Sequence, residues 1–163
     1  MIWNSLLLIF PILILVAALR CYKKDGRWMN AFYRRMSFHD VARRLYVQLV
    51  MLLLIVFQFI QVQTHISAID TFMPLVITAL LIRFSIAELV FYVLKKRKVM
   101  VAVCSLVLAA LFTPHCFSMA VALGILLVAS VFYPSREVRS MVESPDDIFS
   151  LTSIPGQLVA NYY

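Results

Sequence analysis

Arg83 and Glu88 are the charged residues inside an otherwise apolar stretch, Phe72–Leu94 of a 163-residue chain. An ionised side chain at the centre of a membrane-spanning helix costs roughly 2.5–3.5 kcal/mol or more, so it needs a partner or water and marks a place for function. Arg83 lies eleven residues from either end of the stretch. Glu88 comes five residues later, about 140° further around a helix, so the two do not stack as an i,i+4 ion pair. The preceding apolar segment offers partners: Gln58, Gln61 and His65 follow i, i+3, i+7 spacing and share one helix face. Antiparallel threading puts Gln58 within about one helical turn of Arg83 in depth. The spacing therefore predicts a polar seam built on Gln58, Gln61, Arg83, Ser85 and Glu88. Three kinds of chemistry fit such a seam. It can be interhelical hydrogen bonding worth about 0.6–2 kcal/mol per bond, an ion or proton path, or a docking point for a helix of another membrane protein.

Catalytic sets are not signalled. The three glycines, Gly26, Gly124 and Gly156, form neither a phosphate-cradling loop nor a nucleophile elbow. His39, His65 and His115 fall in different loops, without carboxylates at metal-ligand spacing. Cys21, Cys104 and Cys116 make no CxxC pair, and an odd count argues against a disulfide framework. Asp25, Asp40 and Asp70 lie outside the apolar stretches. No enzymatic activity, metal or cofactor is expected.

The elements that would hold the seam are read from hydropathy and charge. The chain is 63% hydrophobic and 14% charged, against about 25% charged residues in soluble domains. Its apolar residues fall in runs, the pattern of a bilayer protein. Fourteen of the fifteen Lys and Arg residues sit in three clusters: Arg20–Arg44, Lys95–Lys98, and Arg136 with Arg139. Cations flanking spans are retained on the cytoplasmic side, so the clusters fix a threading. They also account for the net charge of +7 without nucleic acid, which is not an expected partner.

The first span is Ile2–Leu19, kinked at Pro11, with no cation before it and a basic cluster after it. That is the reverse of a secretory signal, so it reads as an uncleaved span with its N-terminus outside. Tyr46–Val62 is the second span and Phe72–Leu94 the third, joined by an outside loop free of Lys and Arg. Val99–Tyr133 would be about 52 Å long as one helix, against a hydrocarbon core of about 30 Å. Thr113-Pro114-His115-Cys116 at its centre predicts a break. A hairpin of Val99–Phe112 and Phe117–Tyr133 returns Arg136 and Arg139 to the basic side, whereas one kinked span does not. The expected architecture is all-α: a polytopic membrane domain, residues 1–133, with about five spans, N-out and C-in. A cytoplasmic tail, residues 134–163, follows.

Two cytoplasmic segments carry further patterns. Trp28, Met29, Phe32, Tyr33 and Met36 recur at helical spacing beside Arg27, Arg34 and Arg35, predicting an interfacial helix lying on anionic lipid. Its surface patch is Arg27, Trp28, Arg34 and Arg35. Ser37-Phe38-His39-Asp40 resembles a capping box opening the next helix. In the tail, Ser144-Pro145-Asp146-Asp147 predicts a short helix to about Thr152, with Asp146, Asp147 and Phe149 as a partner-binding or self-packing face.

This profile leaves three function classes. The first is an exclusion or immunity protein that blocks incoming phage, plasmid or toxin components at the inner membrane. The second is an accessory subunit of a secretion or conjugation machine, and the third is a small transporter or channel using Arg83 and Glu88. The sequence favours the first, by analogy of size and topology. Its expected partners are the lipid bilayer and another membrane protein or incoming component.

Overall fold

The computed structural model describes residues 2–22, 26–64, 68–113, 116–143 and 162. Among them every regular element is a helix. These are α1 (Ile2–Cys21), α2 (Arg27–Phe38), α3 (Asp40–Val62), α4 (Ala68–Ile82), α5 (Phe84–Lys95), α6 (Arg97–Phe112), α7 (Phe117–Val131) and α8 (Arg136–Glu143). Helices satisfy their backbone polar groups internally, as a bilayer demands.

Three helical stretches are long and apolar enough to cross a membrane: Trp3–Cys21, Asp40–Val62, and Phe117–Ser140 taken through the turn after α7. Pro74–Ile82 with Phe84–Lys95 makes a fourth if both halves belong to one span. The helix α6 has 16 residues, about 24 Å, below the usual spanning length of about 17–25 residues. The expected count of five is therefore not reached by length alone.

The core forms around α7. Its spanning stretch is 61% buried, whereas that of α1 is 0% buried. Small residues explain why α7 sits at the centre: Ser118, Ala120, Ala122, Ala129 and Ser130 are buried on it and let neighbouring backbones approach. Leu54 and Phe57 of α3, Phe91 of α5 and Tyr133 after α7 fill the space beside them. At the edge, α1 holds on through aromatic contacts, Phe10 stacked on Phe57 and Trp3 edge-on to Phe59, each 6.1 Å between centroids. Leu7 and Ile14 pack on the core beside Phe10, and large apolar side chains such as Leu8, Leu13 and Leu19 are exposed.

Two expected elements come out differently. The stretch 72–94 is not one helix: it breaks at Arg83, whose backbone is extended (φ −89°, ψ 106°), and the halves meet at 117°. No proline or glycine marks the break. The tertiary contacts account for it: Arg44 lies 5.6 Å over the Phe84 ring and Tyr46 lies 6.3 Å from Phe91. The first and third turns of α5 thus both meet the second turn of α3. The second difference is the corner before α3. Ser37 stays inside α2, buried, and the chain turns at His39 (φ −119°, ψ 118°) without a side-chain cap. Arg43 holds the corner instead, paired with Asp40 and donating to the Ser37 carbonyl at 3.4 Å.

The long apolar run does divide in two, with α6 and α7 packed against each other on either side of residues 113–116. The tail contains a helix, α8, that hydropathy does not signal. Ser135 Oγ accepts from the Val138 amide at 3.3 Å and Glu137 lies in the first turn, the signals that open α8.

Candidate functional site

The residues of the expected seam separate into two places. Gln58 donates from Nε2 to Thr78 Oγ1 at 2.8 Å, and Thr78 donates to the Pro74 carbonyl at 2.8 Å. This bond joins α3 to α4 and is the interhelical part of the seam. Gln61 is fully buried on α3, and its carbonyl accepts from the Thr64 hydroxyl at 2.6 Å. Arg83 takes no part in either place. It is exposed at the bend, and its side chain has no hydrogen bond or ion pair among the described residues. Ser85 is exposed beyond it. The continuous seam is therefore corrected: the bend turns α5 off the axis of α4, so residues before and after Arg83 do not share a face.

Glu88 belongs to a second cluster at the basic end of the bundle. Its Oε1 accepts from Arg139 Nη1 at 2.6 Å and from the Tyr133 and Tyr92 hydroxyls at 3.2 Å each. Arg136 stacks 4.9 Å over the Tyr92 ring. Ser85, Glu88, Arg136, Arg139 and Ser140 line an open hollow of about 440 Å³. Beside it, Lys95 Nζ donates to the carbonyls of Tyr133 at 2.7 Å and Tyr162 at 2.5 Å. Tyr162 is fully buried, its hydroxyl donates to the Phe132 carbonyl at 2.7 Å, and its ring lies 4.6 Å from Tyr33. Tyr46 adds α3 by donating to the Ala129 carbonyl at 2.9 Å.

The cluster thus ties α2, α3, α5, α7, α8 and Tyr162 together. It brings Lys95 of the second basic cluster and Arg139 of the third to one end of the molecule. With three donors on one carboxylate oxygen, Glu88 links α5 to α8 and to Tyr133. Tyr92, four residues after Glu88, was legible as its helical neighbour. Arg139, 51 residues away, had no signal beyond being an opposite charge at the same predicted membrane face.

The α2 patch is the third candidate, and its four residues, Arg27, Trp28, Arg34 and Arg35, are all exposed. Tyr33 and Met36 are buried, with Met29 and Phe32 partly buried beside them, so this part of the apolar stripe packs on protein while Trp28 stays exposed. The reason is that α3 and Tyr162 offer it aromatic partners: Phe32 lies 6.0 Å from Tyr46, and Tyr33 meets Tyr162. What α2 leaves free is the opposite face, with Arg27, Arg34 and Arg35 exposed and Trp28 91% exposed. The expected tail helix, with Asp146, Asp147 and Phe149, lies outside the described residues, as does His65. Among the described residues no group of His, Cys, Asp or Glu is arranged to hold a metal ion.

No protein-family model matches the chain, and no significant match was found to a curated protein or to a solved structure.

Proposed function

We propose that this is a small non-enzymatic protein of the cytoplasmic (inner) membrane that acts by contact with another protein. Its activity in this reading is exclusion or immunity, blocking an incoming phage, plasmid or toxin component at that membrane. The chain is threaded N-out and C-in, with the basic clusters on the cytoplasmic face, α6 and α7 as a hairpin, and the α4–α5 pair as a broken segment.

The observation that carries the reading is Arg83. It is an exposed cation between two apolar helices, and its side chain has no partner among the described residues. A cation so placed in a membrane protein is stabilised by a carboxylate or by water. The acid nearest in sequence, Glu88, is already committed to Arg139. Arg83 is therefore available to an acidic group on a different membrane protein. The same commitment of Glu88 speaks against a transport path using both residues. An accessory-subunit role rests on the same cation, and separates from exclusion by whether the protein acts alone in a host that lacks the rest of the machine.

The test is expression in a sensitive host, followed by challenge with phages, conjugation donors and pore-forming toxins. Protection against at least one class, lost on Arg83→Gln at equal membrane abundance, is the expected result. Protection against none would overturn the proposal.

A further inference from the structure

The exposed side of α2 and the outer side of α3 enclose a groove of about 570 Å³, with two chemically distinct ends. Its charged lining residues are Arg27 and Arg35, beside Trp28. Arg27, Ala31 and Arg35 recur every four residues, so they form one stripe down the helix. The arginines stand about 12 Å apart along it, with only the Ala31 methyl between them. This is a slot for an anion that two guanidinium forks can approach from either side. Neither arginine has a side-chain partner among the described residues.

The other end of the groove is apolar, with Met36, Ala42, Leu45 and Leu49 as its floor. Leu45 and Leu49 are 54% and 61% exposed, on a helix long and apolar enough to cross a membrane. Through Tyr46 and Leu49 the floor continues into a second hollow of about 370 Å³, lined by Ile14, Leu53, Val56, Ile125 and Val128. From Leu45 to Val56 this apolar track follows α3 for about 16 Å. A stripe of two arginines opening onto a long apolar track, with an exposed tryptophan at the junction, matches the layout of one molecule: a phospholipid at the membrane interface.

We infer that the α2–α3 groove binds a single anionic glycerophospholipid. The phosphodiester lies over Ala31 between Arg27 and Arg35, Trp28 sits at the level of the ester groups, and one acyl chain follows Leu45 and Leu49 towards Val56. Arg27, Ala31 and Arg35 form a ridge shared with a neighbouring concavity, and Arg34 lines that concavity but not this groove.

The test is native mass spectrometry of the full chain in detergent, titrated with phosphatidylglycerol or with phosphatidylcholine of the same acyl chains. The expected result is a one-to-one complex with phosphatidylglycerol that phosphatidylcholine does not replace. The double variant Arg27→Gln/Arg35→Gln should weaken it at least about tenfold, since each surface cation adds about 1 kcal/mol of attraction to anionic lipid. Ala31→Leu, which fills the slot without changing charge, should weaken it comparably, and Arg34→Gln should leave it nearly unchanged. Circular dichroism of each variant separates lost binding from lost folding. Equal binding of both lipids, or an Arg34→Gln loss as large as that of the double variant, would overturn the site. So would full displacement of the lipid by inorganic phosphate alone, which would reduce the site to an anion patch.

Discussion

Cutting the Glu88–Arg139 tie should loosen the basic end by an amount that the geometry sets. Arg139 Nη1 stands 2.6 Å from Glu88 Oε1, with the two side chains 38% and 17% exposed. A charged hydrogen bond contributes about 1.5–3 kcal/mol when shielded, and an exposed ion pair about 0.2–1 kcal/mol. The half-open position of Arg139 puts the expected coupling near 1 kcal/mol, about a fivefold change in the folding equilibrium. A double-mutant cycle with Glu88→Gln and Arg139→Gln measures it, using reversible unfolding in mixed micelles. Glu88→Leu tests the tyrosines separately. It leaves the hydroxyl of the fully buried Tyr133 without its acceptor and should cost a further 1–3 kcal/mol or so. Additive single variants would refute the ion pair. A Glu88→Leu variant as stable as Glu88→Gln would refute the tyrosine bonds.

Three other perturbations discriminate between the structure and what the sequence alone implied. Ser37→Ala should be neutral or slightly stabilising, because the buried Ser37 Oγ has no hydrogen-bond partner among the described residues. A loss of about 1 kcal/mol in thermal or denaturant unfolding would instead restore Ser37 as a helix cap. Tyr162→Phe removes the donor to the Phe132 carbonyl and should cost about 1 kcal/mol. It should also speed removal of C-terminal residues by carboxypeptidase, and an unchanged digestion rate would count against a docked Tyr162. Reporter fusions after Tyr163 and within the 113–116 turn should report cytoplasmic and external locations respectively, whereas an external C-terminus would overturn the N-out, C-in threading.

The sequence was most informative where a single physical demand dominates. Runs of about 20 apolar residues announce α1 and α3, because nothing but a membrane or a large core tolerates them. The division of 99–133 was legible from Pro114 and its polar neighbours, which cannot continue a helix without rearrangement. The bend at Arg83 was not legible, since 72–94 contains no residue that breaks helices locally after Pro74. It follows from where α5 is held, through Glu88, Phe91 and Lys95, and those partners come from distant parts of the chain. Likewise, composition identified Glu88 and Gln58 as groups needing partners, but not Arg139 or Thr78 as the groups supplying them. The periodicity of α2 did not distinguish Tyr33 and Met36, which protein covers, from Trp28, which stays exposed. An apolar face looks the same in sequence whether lipid or protein covers it.

The availability of Arg83 to another protein is the claim on which the functional reading stands, and cross-linking at the bend tests it directly. Ile82, beside it, is 73% exposed, and Leu108 on α6 is 59% exposed and far from it in sequence. A photoreactive amino acid placed at each position, in cells under phage, conjugation or toxin challenge, reports what touches that surface. The expected result is a discrete protein adduct at position 82 that disappears on Arg83→Gln, with only lipid adducts at position 108. Lipid adducts alone at both positions, under every challenge, would contradict it.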